Sequence, residues 1–370
     1  MKRICLILNQ APLYRKGIFE LIGEAFICEW FFISYPTDIK LMDLNCIRNV
    51  KFLTLRYIIA NSIYWVSGMI SCLSSNRHDI YFLTGDFRNL TLWLFLVLGK
   101  AFKRKKRFYL WTHGYYGRES YIKRKLKKHL IKLCTGVFVY GERSKELMLN
   151  DGINNDKIFV IYNSLDHSKQ IEIRKKLRKN ETFFNYFGNK NPVIIFIGRL
   201  NKNKKIELLL LALEKLKQKG KQLNLVLVGE GSEKTFLKEL AKEKNISNQV
   251  WFFGACYDEY KNGELIYNSD LCVSPGNVGL TAIHSMTFGT PVITHDNFNN
   301  QMPEFEVIEK LITGDFFKED SVDSLVETLF NWFNADYDRQ KIREACFNVI
   351  DEKWNPEYQI NLLKSVFEKR

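Results

Sequence analysis

Residues 274–295 read SPGNVGLTAIHSMTFGTPVITH, and this stretch decides the fold. It continues the apolar run 271–273, which predicts a buried strand, and a second strand is predicted at 292–294. Between the strands a helix is predicted to begin near Val278 and to stop at Gly289. The first turn of a helix leaves backbone N–H groups unpaired and carries the positive end of the helix dipole. The stretch therefore predicts an anion site, and a diphosphate is the first ligand to consider.

The rest of the chain repeats this alternation of short apolar runs with helical segments. Strands are predicted at residues 4–8, 80–83, 108–111, 137–140 and 159–162, and then at 193–197, 225–228, 250–253, 271–273 and 292–294. Such runs indicate parallel sheets covered on both faces by helices, the α/β doubly wound architecture. The polar segment 166–190 separates the two sets. We expect an N-terminal domain at 1–168, a linker at 169–190, a second domain at 191–350 and a C-terminal helix at 351–370, for which packing against the first domain is one option.

Length and composition favour a two-domain enzyme. The chain has 370 residues, of which 46% are hydrophobic, enough to form two cores. No window reaches the length of a spanning helix, and the N-terminus lacks the cleavage site of a signal peptide. The eight cysteines show no CxxC pairing, which indicates a reducing compartment. We expect a cytoplasmic protein.

The positive charge of the chain is concentrated in its first half. Lys and Arg number 55 against 41 Asp and Glu, a net charge of +14, and two basic clusters lie at 103–107 and 123–128. A solvated basic face is the simplest interpretation. We favour an anionic membrane surface, because the apolar stretch 93–102 lies beside the clusters, as in a helix at an interface. No nucleic-acid-binding motif is present, so nucleic acid is not an expected partner.

The second half resembles a known family in an ordered set of motifs. These are GRLNKNK at 198–204, VGEG at 228–231, FFG at 252–254, and GL at 279–280 followed by GTPVI at 289–293. In this order they resemble the nucleotide-sugar domain of glycosyltransferase family 4, whose members are retaining enzymes of GT-B fold. The resemblance implies two Rossmann-like domains that face each other across a cleft, the first binding the acceptor and the second the donor.

The resemblance also implies a set of donor-binding residues. Arg199 and Lys204 are expected to bind the donor diphosphate, since both remain cationic at neutral pH and Arg can fork onto phosphate oxygens. For Lys204 the alternative is an ordinary surface lysine. The full set is Gly17, Arg199, Lys204, Glu230, Gly254, Ala255, Cys256, Gly276, Asn277, Val278, Gly279, Leu280, Thr281 and His284.

One departure from the family concerns its two glutamates, which are separated by seven residues. Gly276 and His284 stand at their positions. The second glutamate ordinarily holds the ribose hydroxyls, and we expect His284 to replace it, because an imidazole nitrogen can make the same hydrogen bond. The alternative is a histidine packed in the wall between the domains. Loss of the first glutamate leaves the identity of the donor sugar open.

The first half contributes a less specific set of residues. Residues 12–17, PLYRKG, resemble the family's glycine loop, although an ordinary strand-to-helix turn is the alternative. His113, in the segment WTHGYYGR, matches the family's histidine near the reacting sugar and joins Arg199 and Lys204 as an expected catalytic residue. The expected acceptor-binding residues are Tyr14, Arg15, Lys16, Asp86, Arg88, Tyr115 and Tyr116.

These features predict the transfer of a sugar from a nucleotide diphosphate donor, with a UDP-sugar favoured over a GDP-sugar, to a lipid-linked or oligosaccharide acceptor. The resemblance implies retention of configuration, and a role in bacterial surface polysaccharide biosynthesis at the inner face of the cell membrane. We expect no cofactor beyond the nucleotide sugar and no metal, since two fixed cations can replace a magnesium ion. A nucleotide-sugar epimerase of the same fold and a non-catalytic binding subunit are the alternatives.

Overall fold

A computed structural model describes residues 2–34, 39–59, 62–73, 77–103 and 105–368. The chain divides into two compact units. Unit 1 runs to Asp166 and also includes the chain from Asn355 onward, whereas unit 2 comprises His167–Trp354. The last helix therefore belongs by its contacts to the first unit and not to its neighbour in sequence.

Unit 1 is built on a largely parallel sheet. In the described residues its strands are β1 (Arg3–Leu8), β2 (Ile27–Ser34), β3 (Val50–Ile59), β4 (Ile63–Ser67), β5 (Ile80–Thr84), β6 (Arg107–Trp111), β7 (Gly136–Val139) and β8 (Ile158–Val160). Their order in the sheet is β4-β3-β2-β1-β5-β6-β7-β8, and β4 alone runs antiparallel to its neighbour. The five strands predicted for this half are present, and β2, β3 and β4 are additional.

The first helices of unit 1 are α1 (Lys16–Ala25), α2 (Leu90–Phe102), α3 (Tyr121–Leu133) and α4 (Glu142–Asn150). Helix α1 buries Ile18, Phe19 and Ile22, the spacing expected of a helix with one apolar face. Helix α2 begins at a cap, because the Asn89 side chain accepts a hydrogen bond from the Leu92 N–H.

Unit 2 contains a second parallel sheet with helices packed against it. Its strands are β9 (Val193–Ile197), β10 (Asn224–Val228), β11 (Val250–Gly254), β12 (Leu271–Ser274), β13 (Val292–His295) and β14 (Gly314–Phe317), in the order β11-β10-β9-β12-β13-β14. Its helices are α5 (His167–Lys176), α6 (Thr182–Phe187), α7 (Ile206–Gln218), α8 (Lys234–Glu243), α9 (Glu259–Asn268), α10 (Leu280–Thr287), α11 (Val322–Asn334) and α12 (Arg339–Lys353). All five predicted strands of this half are present.

The last helix, α13 (Pro356–Glu368), completes the core of unit 1. Phe367 is fully buried and packs edge-on against Phe82 and Phe138 of the central strands. The Gln359 side chain donates a hydrogen bond to the Tyr162 carbonyl. Deleting a buried phenylalanine of this kind costs about 3–5 kcal/mol, so α13 is part of the stability of unit 1.

Strand order reverses once in each sheet. In unit 1 the reversal lies between β1 and β5, and in unit 2 it lies between β9 and β12. Open α/β sheets bind ligands beyond the carboxyl ends of their strands at such reversals. The loops that follow these four strands are therefore the first places to look for a site.

Candidate active site

Two loops of unit 2 meet where its strand order reverses. The loop after β9 carries Arg199, which is exposed, and Lys204, which is half-buried. The loop after β12 carries Gly276 and Asn277. The Gly276 N–H donates to the Lys204 carbonyl at 3.0 Å, so the backbones of the two loops are joined.

The Lys204 ammonium is held against the second loop. Its Nζ donates to the backbone carbonyl of Asn277 at 2.7 Å and to the side-chain oxygen of the same residue at 3.0 Å. Burial lowers the pKa of Lys204, and the negative charge of the buried Glu304 opposes that change. The structure thus brings together Lys204, Gly276 and Asn277, three of the expected donor-binding residues.

The turn before α10 is fixed by hydrogen bonds. Gly279 caps the helix at φ 51° and ψ −148°, a conformation that favours glycine. The Val278 N–H donates to the Gln301 side chain at 2.9 Å, and Gln301 in turn donates to the Thr294 hydroxyl at 2.8 Å. Leu280 and Thr281 follow as the first helical residues, so the geometry of this helix terminus, where the anion site is expected, is fixed by the fold.

Gly276, which the sequence analysis aligned with the first glutamate of the family it resembles, has no space for a side chain. A Cβ atom there would lie 2.2 Å from the Asn203 carbonyl oxygen and 2.8 Å from the Lys204 Cα. Both are backbone atoms, so neither can rotate away. The loop after β9 occupies the space that a side chain at residue 276 would need.

His284 lies beside a carboxylate that the sequence analysis did not identify. Its Nε2 is 3.0 Å from Oε1 of Glu259, the first residue of α9, and the same oxygen accepts a hydrogen bond from Gln170 at 2.7 Å. Although burial opposes ionisation, His284 and Gln170 hold the pKa of Glu259 below its ordinary value. A carboxylate is therefore present next to residue 284, on a different helix from the family's glutamate.

The loop expected to contact the base follows β11. Gly254 lies close to Glu230, since a Cβ on Gly254 would be 3.5 Å from the Glu230 carboxylate. Beyond it, Ala255 is exposed and the Cys256 carbonyl accepts a hydrogen bond from the Asn262 side chain at 3.2 Å. Glu230 itself pairs with Lys234. Glu230 and the loop after β11 therefore lie next to each other in unit 2.

Unit 1 contains a cavity of about 970 Å³ at its own strand reversal. The cavity is lined by residues that follow β1, β5, β6 and β7. Six of the expected site residues line it: Tyr14, Arg15, Asp86, Arg88, His113 and Tyr116.

His113 lies in this cavity as a neutral imidazole. Its ring packs against Tyr140 at 4.7 Å between centroids. Burial, together with the positive charges of Arg15 and Lys127, lowers the pKa of His113 to about 4. Its Nδ1 is buried and has no hydrogen-bond partner among the described residues. At neutral pH the side chain can thus donate or accept one hydrogen bond but carries no charge.

Arg15 is held in an aromatic enclosure in the same cavity. Its guanidinium lies 4.5 Å from the centre of the Trp111 ring and donates a hydrogen bond to the Tyr140 hydroxyl. Although burial opposes the charge, Tyr140 and Tyr14 raise the pKa of Arg15. The side chain remains a cation with neutral aromatic neighbours.

Three expected residues of the first half lie elsewhere. Lys16 is on the surface, 3.7 Å from Glu20. Gly17 lies in α1, where a Cβ would be 3.2 Å from the Pro356 side chain of α13. The Tyr115 side chain is buried, and its hydroxyl donates to Asp151 at 2.9 Å. The structure gives Gly17 and Tyr115 packing contacts, and none of the three lines the cavity.

The cavity also includes residues that the sequence analysis did not select. Among them are Trp111, Tyr140, Glu119, Lys123 and Lys127. Trp111 ends β6 and Tyr140 directly follows β7, so their positions at the carboxyl ends of predicted strands were a usable signal. Lys123 and Lys127 lie in a basic cluster that suggested a surface and not a cavity.

A second feature of unit 1 is the surface formed by α2 and α3, which contact each other. We call it the α2–α3 surface. Its exposed apolar side chains include Phe102 and Ile122, which are 77% and 70% exposed, and exposed lysines such as Lys100 and Lys125 lie on the same helices. Arg104, part of the first basic cluster, lies outside the described residues. Across the described ranges we found no helix long and apolar enough to cross a membrane.

Comparison with known proteins supports a glycosyltransferase. Residues 178–348 match the family described as glycosyl transferases group 1. An uncharacterized glycosyltransferase of Methanocaldococcus jannaschii is 29% identical over 169 residues, which are 43% of this chain and 42% of that protein. The chain spans about half the length of the curated relatives it matches, and the family match lies entirely within unit 2.

Solved structures extend the likeness to the whole chain at the level of fold. The lipopolysaccharide outer core galactosyltransferase WaaB has a TM-score of 0.73 at 17% identity, and HepE of Anabaena, solved in complex with UDP, has 0.73 at 15%. Both comparisons cover 100% of each chain. The predicted GT-B fold, with two parallel-sheet α/β domains, is confirmed.

Proposed function

We propose that this protein is a retaining glycosyltransferase that moves a sugar from a nucleoside diphosphate to a hydroxyl of a lipid-linked or oligosaccharide acceptor. A UDP-sugar is favoured over a GDP-sugar, in line with the UDP bound to HepE. The observation that carries the proposal is the pair of joined loops in unit 2, where Lys204 lies against the turn before α10. The named relatives are glycosyltransferases, so the epimerase and binding-subunit alternatives are not favoured.

The leaving diphosphate is bound by Arg199, Lys204 and the first N–H groups of α10. As the bond between the anomeric carbon and the phosphate oxygen breaks, negative charge grows on the diphosphate. Fixed cations and backbone N–H groups stabilise that charge more strongly than they stabilise the ground state, and this lowers the barrier. The same cations act in place of a metal, and no cofactor beyond the nucleotide sugar is required.

The ribose is held by His284 together with Glu259. A carboxylate accepts hydrogen bonds from two neighbouring hydroxyls more readily than an imidazole, which has one acceptor at most. His284 orients Glu259 through the contact at 3.0 Å, and Gln170 fixes the same oxygen. The second oxygen of the carboxylate is left for the ligand.

The acceptor binds in the cavity of unit 1, where His113 offers a neutral hydrogen-bonding group. In the transfer, the acceptor oxygen forms a bond to the anomeric carbon on the face from which the diphosphate departs. The proton of the acceptor hydroxyl passes to an oxygen of the leaving phosphate, so the sugar retains its configuration.

We place the reaction at the inner face of the cell membrane, as a step in building bacterial surface polysaccharide. The α2–α3 surface combines exposed apolar and basic side chains, as expected for a protein that binds anionic lipid. The protein is then cytoplasmic and attached at the membrane periphery.

Two measurements test this function. A thermal-shift screen of UDP- and GDP-sugars should select a UDP-sugar. That donor, incubated with lipid-linked and oligosaccharide acceptors, should yield a product whose anomeric configuration by NMR equals that of the donor. An inverted product would contradict retention. Release of a free epimer without transfer would identify an epimerase, and nucleotide binding without any product would identify a binding subunit.

A further inference from the structure

The side chains that line the cavity of unit 1 carry more positive than negative charge. Five cationic side chains line it, against two carboxylates. Both carboxylates are already paired inside the cavity: Asp86 lies 2.7 Å from Arg88, and Glu119 lies 2.7 Å from Lys127. Arg118 also lines the cavity, with its guanidinium over the Tyr116 ring, and Arg15 and Lys123 complete the set of lining cations.

Arg15 is the most enclosed of these cations, and no acidic side chain of the described residues pairs with it. Among the described residues no carboxylate forms an ion pair with Arg15, and its Nε is buried without a hydrogen-bond partner. The Trp111 and Tyr140 rings flank it. Removing a guanidinium from water is costly unless an anion pairs with it, so the arrangement is incomplete without a negative group.

The geometry of Arg15 favours a particular class of anion. A guanidinium stacked on an aromatic face keeps its edge available, and that edge matches the two oxygens of a carboxylate or phosphate. Lys123, exposed on α3 at the rim, adds a point charge. The aromatic side chains and the neutral His113 suit the body of a sugar, which offers apolar faces and hydroxyl groups.

We propose that the acceptor of this enzyme carries an oxyanion, a phosphate or a carboxylate, which binds Arg15 and Lys123 in the cavity of unit 1. The proposal rests on the proposed function and narrows its acceptor to an anionic sugar or sugar phosphate. A phosphate would come from a lipid-linked sugar phosphate, whereas a carboxylate would come from an acidic sugar residue.

The experiment measures binding to the full chain by calorimetry with UDP present at saturation, so that the donor site is filled. The probes are glucose 1-phosphate, glucuronate and neutral glucose. We expect at least one of the two anions to bind at least tenfold more tightly than glucose. Arg15→Gln should remove most of that preference, and Lys123→Gln, an exposed and readily tolerated change, should reduce it severalfold. Lys132→Gln, which removes an exposed charge from the same helix outside the cavity, should have no effect.

The outcomes distinguish a phosphorylated acceptor from an acidic sugar, and failure of the acceptor proposal from failure of the proposed function. A preference for glucose 1-phosphate points to a phosphorylated acceptor, and a preference for glucuronate points to an acidic sugar. Equal binding of glucose and both anions would overturn the proposal while leaving UDP binding, and with it the proposed function, intact. A loss of UDP affinity in Arg15→Gln as large as the loss of anion affinity would assign Arg15 to the donor and would also overturn it.

Discussion

Gly276, which the sequence analysis aligned with the first of two glutamates in the family it resembles, lies against the backbone of the neighbouring loop. Restoring the family residue should therefore damage the site. Gly276→Glu must displace residues 203–204, and even Gly276→Ala should cost roughly 1–3 kcal/mol by overpacking. We expect a lower thermal midpoint and weaker UDP binding for both variants. Gly23→Ala, where a Cβ meets nothing within 4 Å, serves as the control and should be neutral or slightly stabilising. Gain of activity in Gly276→Glu would contradict this account.

A second prediction follows from the contact between His284 and Glu259. If the carboxylate holds the ribose, the wild-type protein should bind UDP more tightly than 2′-deoxy-UDP. Glu259→Gln and His284→Ala should each weaken UDP binding by about tenfold, the effect of losing a hydrogen bond to a charged group, and the double variant should lose little more. Both single variants should also lose the preference for UDP over 2′-deoxy-UDP.

The control for this pair is Glu264→Gln, which removes a carboxylate from the same helix where it pairs with Lys261. It should bind both nucleotides as the wild type does. If the Glu259 and His284 variants weakened UDP and 2′-deoxy-UDP equally, the pair would be structural and the ribose would be held by other residues.

His113 makes the stability of the folded protein depend on pH. Its pKa is about 4 in the folded protein, against about 6.5 in an unfolded chain, so only the unfolded state gains this proton as the pH falls from 6.5 towards 4. Stability is lost over that range. On going from pH 7 to pH 5, the free energy of unfolding of His113→Gln should therefore fall by about 1–2 kcal/mol less than that of the wild type. Thermal midpoints at the two pH values measure the difference, with the exposed His129→Gln as the control. The same pH sensitivity in wild type and His113→Gln would show that His113 is not buried as a neutral ring.

At the scale of elements, most strands that are buried on both faces were predictable from the sequence, although β2, in which residues 30–33 are buried, was not predicted. The strands β1, β5 and β9 are continuous apolar runs, and their periodicity is enough to identify them. Strand β3 was missed because most of its side chains are exposed, with Phe52 and Tyr57 more than half exposed, and because charged residues interrupt its apolar run. Helix α13 has an apolar face that predicts a helix, but nothing local shows that this face packs on unit 1.

The α2–α3 surface makes a prediction at the same scale. If it binds anionic lipid, the protein should bind vesicles that contain an anionic phospholipid at low salt and should dissociate partly as the salt concentration rises. Lys100→Gln together with Lys125→Gln should weaken binding by about 2 kcal/mol, since each cation near such a surface contributes about 1 kcal/mol. Lys242→Gln, an exposed lysine of α8 in unit 2, is the control. Equal binding to neutral vesicles would contradict the claim that electrostatic attraction to anionic lipid contributes to binding.

At the scale of the whole molecule, the candidate site of unit 2 was more predictable than the cavity of unit 1. The loops after β9 and β12 carry motifs, because their backbone atoms approach each other closely and such contacts restrict the sequence. Glu259 was missed because its partner His284 is distant in sequence and meets it only in the folded unit. The cavity of unit 1 is lined by ordinary aromatic and charged side chains, whose meeting depends on strand order and not on a local pattern.

The central claim is that the cations of unit 2 stabilise the leaving diphosphate. The most direct test is the kcat of sugar transfer at saturating donor, measured for the wild type and for Arg199→Ala with the UDP-sugar selected by the screen. Lys242→Ala, which removes an exposed charge from the same unit, is the control. Because the interaction strengthens as charge develops, Arg199→Ala should lower kcat about 100-fold or more, and donor affinity by a smaller factor, while Lys242→Ala should match the wild type. An unchanged kcat in Arg199→Ala would contradict the account.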